Sequence, residues 1–244
     1  MQHLGHTRSS YQRDHFLHTP DAFVRAPLPG MNNATAIVHA GPAMGAGFTQ
    51  YTAELEGDGS FQLGDREQSR AQSFVYVLEG RVTCAETDLS PGQYCWLPPD
   101  RATRVAAAEP ARVAVVEKPH FAWNGVVPGP ITGDERHIAP KPLAGDDALQ
   151  VRMLLPDDPA FDCAVNTMTF QPGATLPMVE IHIMEHGLLM LEGEGIYRLG
   201  EHWYPVTAGD FIWMAPYCPQ WFGALGKVPA KYLIYKDWNR HPLK

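Results

Sequence analysis

The sequence predicts an all-β protein containing two copies of one antiparallel unit. Three observations carry this. The short runs 74–78, 94–97, 113–116, 188–191, 211–214 and 232–235 are rich in aromatic and β-branched residues, and 22 Gly and 22 Pro punctuate the chain. No apolar 3.6-residue periodicity extends beyond about ten residues. Finally, the chain repeats itself. SFVYVLEG (73–80) aligns with HGLLMLEG (186–193) at an offset of 113, and SPGQYCWLPP (90–99) aligns with TAGDFIWMAP (207–216) at an offset of 117. The four extra residues of the second copy fall in RLGEHWYPV (198–206), a hairpin tip. Each copy reads as strand, Leu-Glu-Gly turn, strand, Gly turn, aromatic strand and proline corner.

The elements follow in order. Residues 1–20 are polar and His-rich and form an N-terminal arm, mobile or strapped along the surface. His3, His6, His15 and His18 lack a tight ligand spacing and give no metal site. Residues 21–120 hold the first copy. Residues 121–147, with Pro128, Pro130, Pro140, Pro142 and several glycines, form an extended Pro/Gly-rich linker. Residues 148–244 hold the second copy. Trp96 and Trp213 recur at matching positions and, with Trp221, read as packing residues near the barrel rim.

Composition excludes several classes. A hydrophobic share of 45% can fill a core. A net charge of -8 lacks the basic footprint for nucleic acid or anionic lipid. No run of ~20 apolar residues can span a membrane, and the N-terminus has no apolar secretory core, so a cytoplasmic protein is expected. Cys84, Cys95, Cys163 and Cys218 show no close spacing and read as free, buried thiols rather than a disulfide frame or a zinc cage.

The segment 179–187, Val-Glu-Ile-His-Ile-Met-Glu-His-Gly, carries the chemistry. Glu180 and His182 share one face of a strand, and His186 has the same parity. On a straight strand Glu180 and His186 would lie ~20 Å apart at ~3.3 Å per residue, too far for one ion. If all three are ligands, the chain must turn between His182 and His186. Parity alone leaves the alternative that Glu180 faces water and Val179, Ile181 and Ile183 face the core. A fourth candidate, Gln220, follows a proline-rich corner. Two imidazoles, one carboxylate and one amide oxygen suit Mn(II), Fe(II), Co(II) or Ni(II). Glu185 and Glu192 read as turn or surface carboxylates.

These residues also carry a resemblance. His182-x3-His186-x6-Gly193 resembles the first cupin motif, with Glu180 where a His is usual and His186 where a Glu is usual. The stretch from Gly209 through Pro216 to Gln220 resembles the second, with Gln220 at its usual His; Pro216 falls one place late and the motif's second Gly is missing. The exchanged ligand set, together with EIHIMEHG, GEGIYRLGEHWYPVTAGDFIWM and YKDWNR, resembles the (S)-ureidoglycine aminohydrolase family, manganese bicupins of allantoin and purine degradation. The resemblance extends more weakly through LPGMNNATAIVHAGPAMGAGF in the first half.

The resemblance implies two jelly-roll-like β-barrels in tandem, a bicupin, assembled as a homo-oligomer. It implies Mn2+, or another divalent first-row metal, on Glu180, His182, His186 and Gln220. It further implies a small-molecule substrate, ureidoglycine, hydrolysed to (S)-ureidoglycolate and ammonia. Tyr197, Tyr232 and Lys236 would bind it and act in catalysis, with Glu180 also at the substrate. Shifting the ligand positions by the repeat offsets lands on Glu67, Ser69, Ser73 and Thr103, so the first barrel is expected to hold no catalytic metal. Two other readings stand beside this one. One is another cupin metalloenzyme such as a non-haem Fe(II) dioxygenase; the other is a non-enzymatic cupin that binds a small ligand.

Overall fold

Strand follows strand along almost the whole chain in the computed structural model, which describes residues 6–64, 70–99 and 101–238. Regular helix among the described residues amounts to four three-residue 3-10 turns. None is long and apolar enough to cross a membrane. In chain order the strands are β1 (Ser10–Tyr11), β2 (His15–His18), β3 (Asn32–Ala40), β4 (Thr49–Leu63), β5 (Ala71–Glu79), β6 (Val82–Cys84), β7 (Thr87–Leu89), β8 (Gln93–Leu97), β9 (Thr103–Ala106), β10 (Ala111–Pro119) and β11 (Ile131–Asp134). There follow β12 (Lys141–Leu143), β13 (Asp146–Met153), β14 (Cys163–Phe170), β15 (His186–Glu192), β16 (Glu194–Leu199), β17 (His202–Thr207), β18 (Phe211–Met214), β19 (Gln220–Leu225) and β20 (Ala230–Asp237). The protein is all-β and its strands group into two units.

One unit comprises residues 24–138 and 154–162. Its sheet runs β11-β8-β5-β10-β4-β9-β6-β7, with β3 beside β4. The long strand β4 pairs with β10 through Thr49–Leu55 and then with β9 through Ser60–Leu63. It turns the corner at Gly59, where a Cβ would lie 2.6 Å from the Asn33 carbonyl oxygen. Tyr51, Ala53, Leu55, Val75, Val77, Val113 and Val115 alternate along their strands to fill the core.

The other unit comprises residues 1–23, 139–153 and 163–244. An eight-stranded sheet, β1-β2-β18-β15-β20-β14-β13-β12, faces the three-stranded β17-β16-β19. Leu188, Met190, Ile212, Tyr232 and Ile234 from the large sheet meet Tyr197, Leu199, Val206 and Phe222 from the small one. The Phe222 ring stands edge-on to Phe170 at 4.8 Å and to Tyr232 at 5.7 Å. Each such buried side chain contributes about 1.5–3 kcal/mol.

The internal repeat is visible in the register. Phe74 lies opposite Trp96, and Gly187 lies opposite Trp213. The two Leu-Glu-Gly turns match as well. Gly80 and Gly193 adopt φ of 72° and 70°, and a Cβ at either would collide with a carbonyl oxygen, of Pro110 or Pro229 respectively. Only glycine fits both demands. The extra residues of the second copy lengthen the β16–β17 hairpin relative to β6–β7.

Three stretches depart from the linear reading. Within the expected arm, the described residues 6–20 are not a surface strap. β2 is buried at all four positions and pairs with β18, Phe16 stacking on Trp213 at 5.3 Å. Arg8 adds a two-pronged pair to the buried Asp210, both contacts at 2.7 Å. The segment 121–147 is extended but contributes ladder strands to both units. It supplies β11 against β8 and β12 against β13, edge positions where Pro142 is tolerated. Residues 154–162, past the linker, belong to the first unit. There the Lys118 ammonium donates to the Asp162 carboxylate at 2.6 Å and His120 Nε2 contacts the Ala160 carbonyl at 3.0 Å. The four cysteines are buried thiols that form no disulfide, as expected.

Candidate metal centre

The chain between β14 and β15 runs alongside β19 instead of forming a strand of its own. Leu176 N–H donates to Phe222 O at 2.9 Å. Glu180 and Gln220 form an isolated antiparallel bridge, closed by Glu180 N–H to Gln220 O at 2.8 Å and Gln220 N–H to Glu180 O at 2.9 Å. Directly opposed residues in such a pair hold their Cβ atoms ~4.5–5.5 Å apart on one face. Trp221 Nε1–H holds the same segment by donating to Leu176 O at 2.8 Å. The chain then bends at Ile183 and Met184 and enters β15 at His186. This is the turn that a shared site demands, and it leaves the His182 and His186 ring centroids 5.3 Å apart.

Parity is resolved by exposure. Met178, Val179 and Ile181 are 66%, 38% and 61% exposed, whereas His186 and Gln220 are 2% and 3% exposed. Met178, Val179 and Ile181 thus face solvent, while Glu180 and His182 are half-buried, with side chains 27% and 30% exposed. Glu180 Oε2 and His182 Nε2 pair at 3.2 Å, and Tyr197 O–H donates to Gln220 Oε1 at 3.2 Å.

The remaining residues arrive by sheet register. His186 lies directly opposite Lys236 on β20, and Met190 opposite Tyr232. Side chains two apart share a face, so Tyr232, Ile234 and Lys236 point the same way as His186, Leu188 and Met190. In the first unit the same register pairs Ser73 with Glu117. Thr103 lies there on β9, while Glu67 and Ser69 lie outside the described residues.

The electrostatics follow from burial. His186 is held well below its usual pKa, first by burial and then by the charges of Lys236 and His182, so its imidazole is neutral at pH 7. Lys236 is lowered by burial, with Glu180 pulling the other way. Tyr197 and Tyr232 are raised by burial and by the Glu180 carboxylate, and remain O–H donors. The charge of Glu180 acts on Tyr197, Tyr232 and Lys236, and those of Lys236 and His182 act on His186.

The donors suit a divalent first-row cation in type: two imidazoles, one carboxylate and one amide oxygen. His186 Nδ1 is buried without a hydrogen-bond partner, an expensive condition unless some other group uses the ring. Glu180, His182 and His186 do not all stand within 4.8 Å of one another. Among the described residues the trio of His, Cys, Asp or Glu that does is Asp14, His15 and Cys218. Glu180 and His182 instead spend their polar atoms on each other.

Comparison with known proteins places the chain in a family. The cupin domain family matches residues 166–235. An (S)-ureidoglycine aminohydrolase of Arabidopsis thaliana is 41% identical, over 98% of this chain and 80% of that protein. The chain belongs to the (S)-ureidoglycine aminohydrolase family. A bacterial relative of the same name, from Escherichia coli, is 31% identical over 91% of this chain and 87% of its own length. The crystal structure of the protein Ylba from E. coli superposes with a TM-score of 0.84 at 28% identity, covering 96% of this chain and 95% of that one. Members of the family are hydrolases, and this chain is an enzyme of that class.

Two features escaped the sequence reading. Glu185 is not a surface carboxylate; it is buried and accepts a hydrogen bond from Trp213 Nε1 at 3.1 Å. Glu192 is exposed, as expected. Asp14, His15 and Cys218 come together from positions some two hundred residues apart, and no local spacing signals such a group.

Proposed function

We propose that this protein hydrolyses (S)-ureidoglycine to (S)-ureidoglycolate and ammonia, using Mn2+ or a similar divalent cation held by Glu180, His182, His186 and Gln220. The observation that carries the reading is the Glu180–Gln220 bridge beside His182 and His186, in a chain whose curated relatives bear this activity as their name. The reaction breaks the bond from the central carbon to its amino nitrogen and forms a bond from that carbon to a water oxygen. A bound cation would supply Lewis acidity and lower the pKa of a water.

The chain's own residues do the rest. The neutral His186 has one ring-nitrogen lone pair available at pH 7. Lys236, opposite it, pairs with the substrate carboxylate while protonated. Its lowered pKa also suits it to pass a proton to the departing nitrogen. Tyr197 and Tyr232 donate O–H groups and fix the substrate's orientation. Tyr197 also steadies the Gln220 amide so that its oxygen faces the interior.

In this reading the first unit carries no catalytic metal and serves the structure and the assembly of a cytoplasmic homo-oligomer. Its Ser73 and Thr103 are poor ligands. The test supplies freshly generated ureidoglycine with and without Mn(II), under air and anaerobically, and follows ammonia and ureidoglycolate. Metal-dependent release of both products without oxygen is expected. Oxygen consumption or no turnover would overturn the reading. Glu180→Ala and His186→Ala should each lose Mn(II), read by elemental analysis. Full Mn(II) retention in the double variant would place the metal elsewhere.

A further inference from the structure

A second group of metal-capable side chains lies in the same unit, where β2 meets the turn that precedes β19. Asp14, His15 and Cys218 each bring one ligand atom within 4.8 Å of the others. Asp14 Oδ1 is 2.9 Å from His15 Nδ1, and Cys218 Sγ is 3.9 Å from the same nitrogen. In a tetrahedral zinc site, neighbouring N, O and S donors stand about 3.4–3.6 Å apart, given bonds of about 2.0–2.3 Å. The observed separations fall on either side of that, so shifts of roughly half an ångström would close the sphere.

The surroundings are built like those of a ligating histidine. His15 Nε2 is 2.9 Å from the Tyr204 hydroxyl. A ligating imidazole turns one nitrogen to the metal while a polar partner anchors the other. His15 and Cys218 are buried, and Asp14 is half exposed, so the group opens to solvent on one side. Gly200, at φ 56°, lies beside the group; a Cβ there would sit in ordinary van der Waals contact with His15 Cε1 at 3.6 Å and Asp14 Oδ2 at 3.7 Å. The His202 ring stands nearby, its centroid 5.7 Å from that of His15.

We propose that Asp14, His15 and Cys218 form a second metal site, for a soft divalent cation of the zinc class, with water in the fourth position. A thiolate among the donors separates it from the set around Glu180, which contains none. Binding releases the thiol proton and forms a metal–sulfur bond, with no change of oxidation state. The bound ion ties the N-terminal strand β2 to the turn that carries Cys218 and leads into Gln220.

Co(II) added to chelator-stripped full-length protein tests this, because a thiolate ligand produces a near-ultraviolet sulfur-to-cobalt charge-transfer band. The band is expected in the wild type and in His186→Ala, where the other site is disabled. It should vanish in Cys218→Ser. Asp14→Asn, a change at a half-exposed side chain, should weaken Co(II) binding at this band by about tenfold or more, the loss that even an outer-shell partner produces. Absence of the band in the wild type would overturn the proposal. So would an undiminished band in Cys218→Ser, or unchanged affinity in Asp14→Asn. If Cys218→Ser fails to fold, the wild-type band and the Asp14→Asn titration decide.

Discussion

Tyr197→Phe isolates one hydrogen bond at the centre of the site. The ring is 1% exposed and packs beside Phe222 at a centroid distance of 5.5 Å, so Phe keeps the packing and opens no cavity. What disappears is the O–H donated to Gln220 Oε1 at 3.2 Å. Gln220 is 3% exposed, so its amide oxygen cannot turn to water. Leaving a buried acceptor unpaired costs about 1–3 kcal/mol. At roughly 2 kcal/mol and 2–4 °C per kcal/mol for a chain of this size, the melting temperature should fall by about 4–8 °C in the presence of a chelator. With Mn(II) bound, the amide oxygen gains a stronger partner, and the fall should shrink to less than half. Differential scanning calorimetry with and without the metal reads both values. An unchanged melting temperature under chelation would refute the hydrogen bond's role. A fall of equal size in both conditions would refute Gln220 as a ligand.

Other expectations follow from the same geometry. Lys236→Ala should keep Mn(II) but lower kcat by about 10²–10⁴, the range for a proton-transfer group; normal turnover would remove its assigned role. Gly193→Ala should destabilise the protein by well over ~1 kcal/mol, since a Cβ meets the Pro229 carbonyl at a positive φ. Gly173→Ala, also at positive φ but with open space around it, should cost less; chemical denaturation ranks the two. His18 has its pKa lowered, chiefly by burial, with the Ala22 carbonyl and Asp21 carboxylate partly opposing. The folded state thus favours neutral imidazole. That stabilisation is complete above the unfolded value of ~6.5 and is lost as pH falls below it. Melting temperature should drop from about pH 7.5 to about pH 5 in the wild type, and less so in His18→Gln.

The repeat was legible because each copy needs the same backbone devices. Gly80 and Gly193 occupy turns that no other residue fits, and Phe74/Trp96 and Gly187/Trp213 hold matching registers. The direction of Glu180 was not legible. Alternation along 179–183 fits either face, and the choice is made by a single bridge to Gln220, forty residues on. The place of His15 was equally hidden, since β2 pairs with the neighbouring β1 on one side but on the other with β18, near the other end of the chain. Residues 154–162 join the first unit through the Lys118–Asp162 ion pair, and neither residue marks its partner in the sequence. Local rules set turns and strands; contacts between distant stretches set membership and facing.

The ladder rung joining Glu180 to Gln220 has a consequence for how this centre can change. Both side chains are delivered by main-chain bonds, which an exchange of carboxylate for amide leaves in place. Swapping carboxylate for amide at either post would therefore alter the formal charge of the cavity by one while the posts stay put. In the proposed centre, the preference among cations would become adjustable separately from its shape, so chemistry can drift while the scaffold does not.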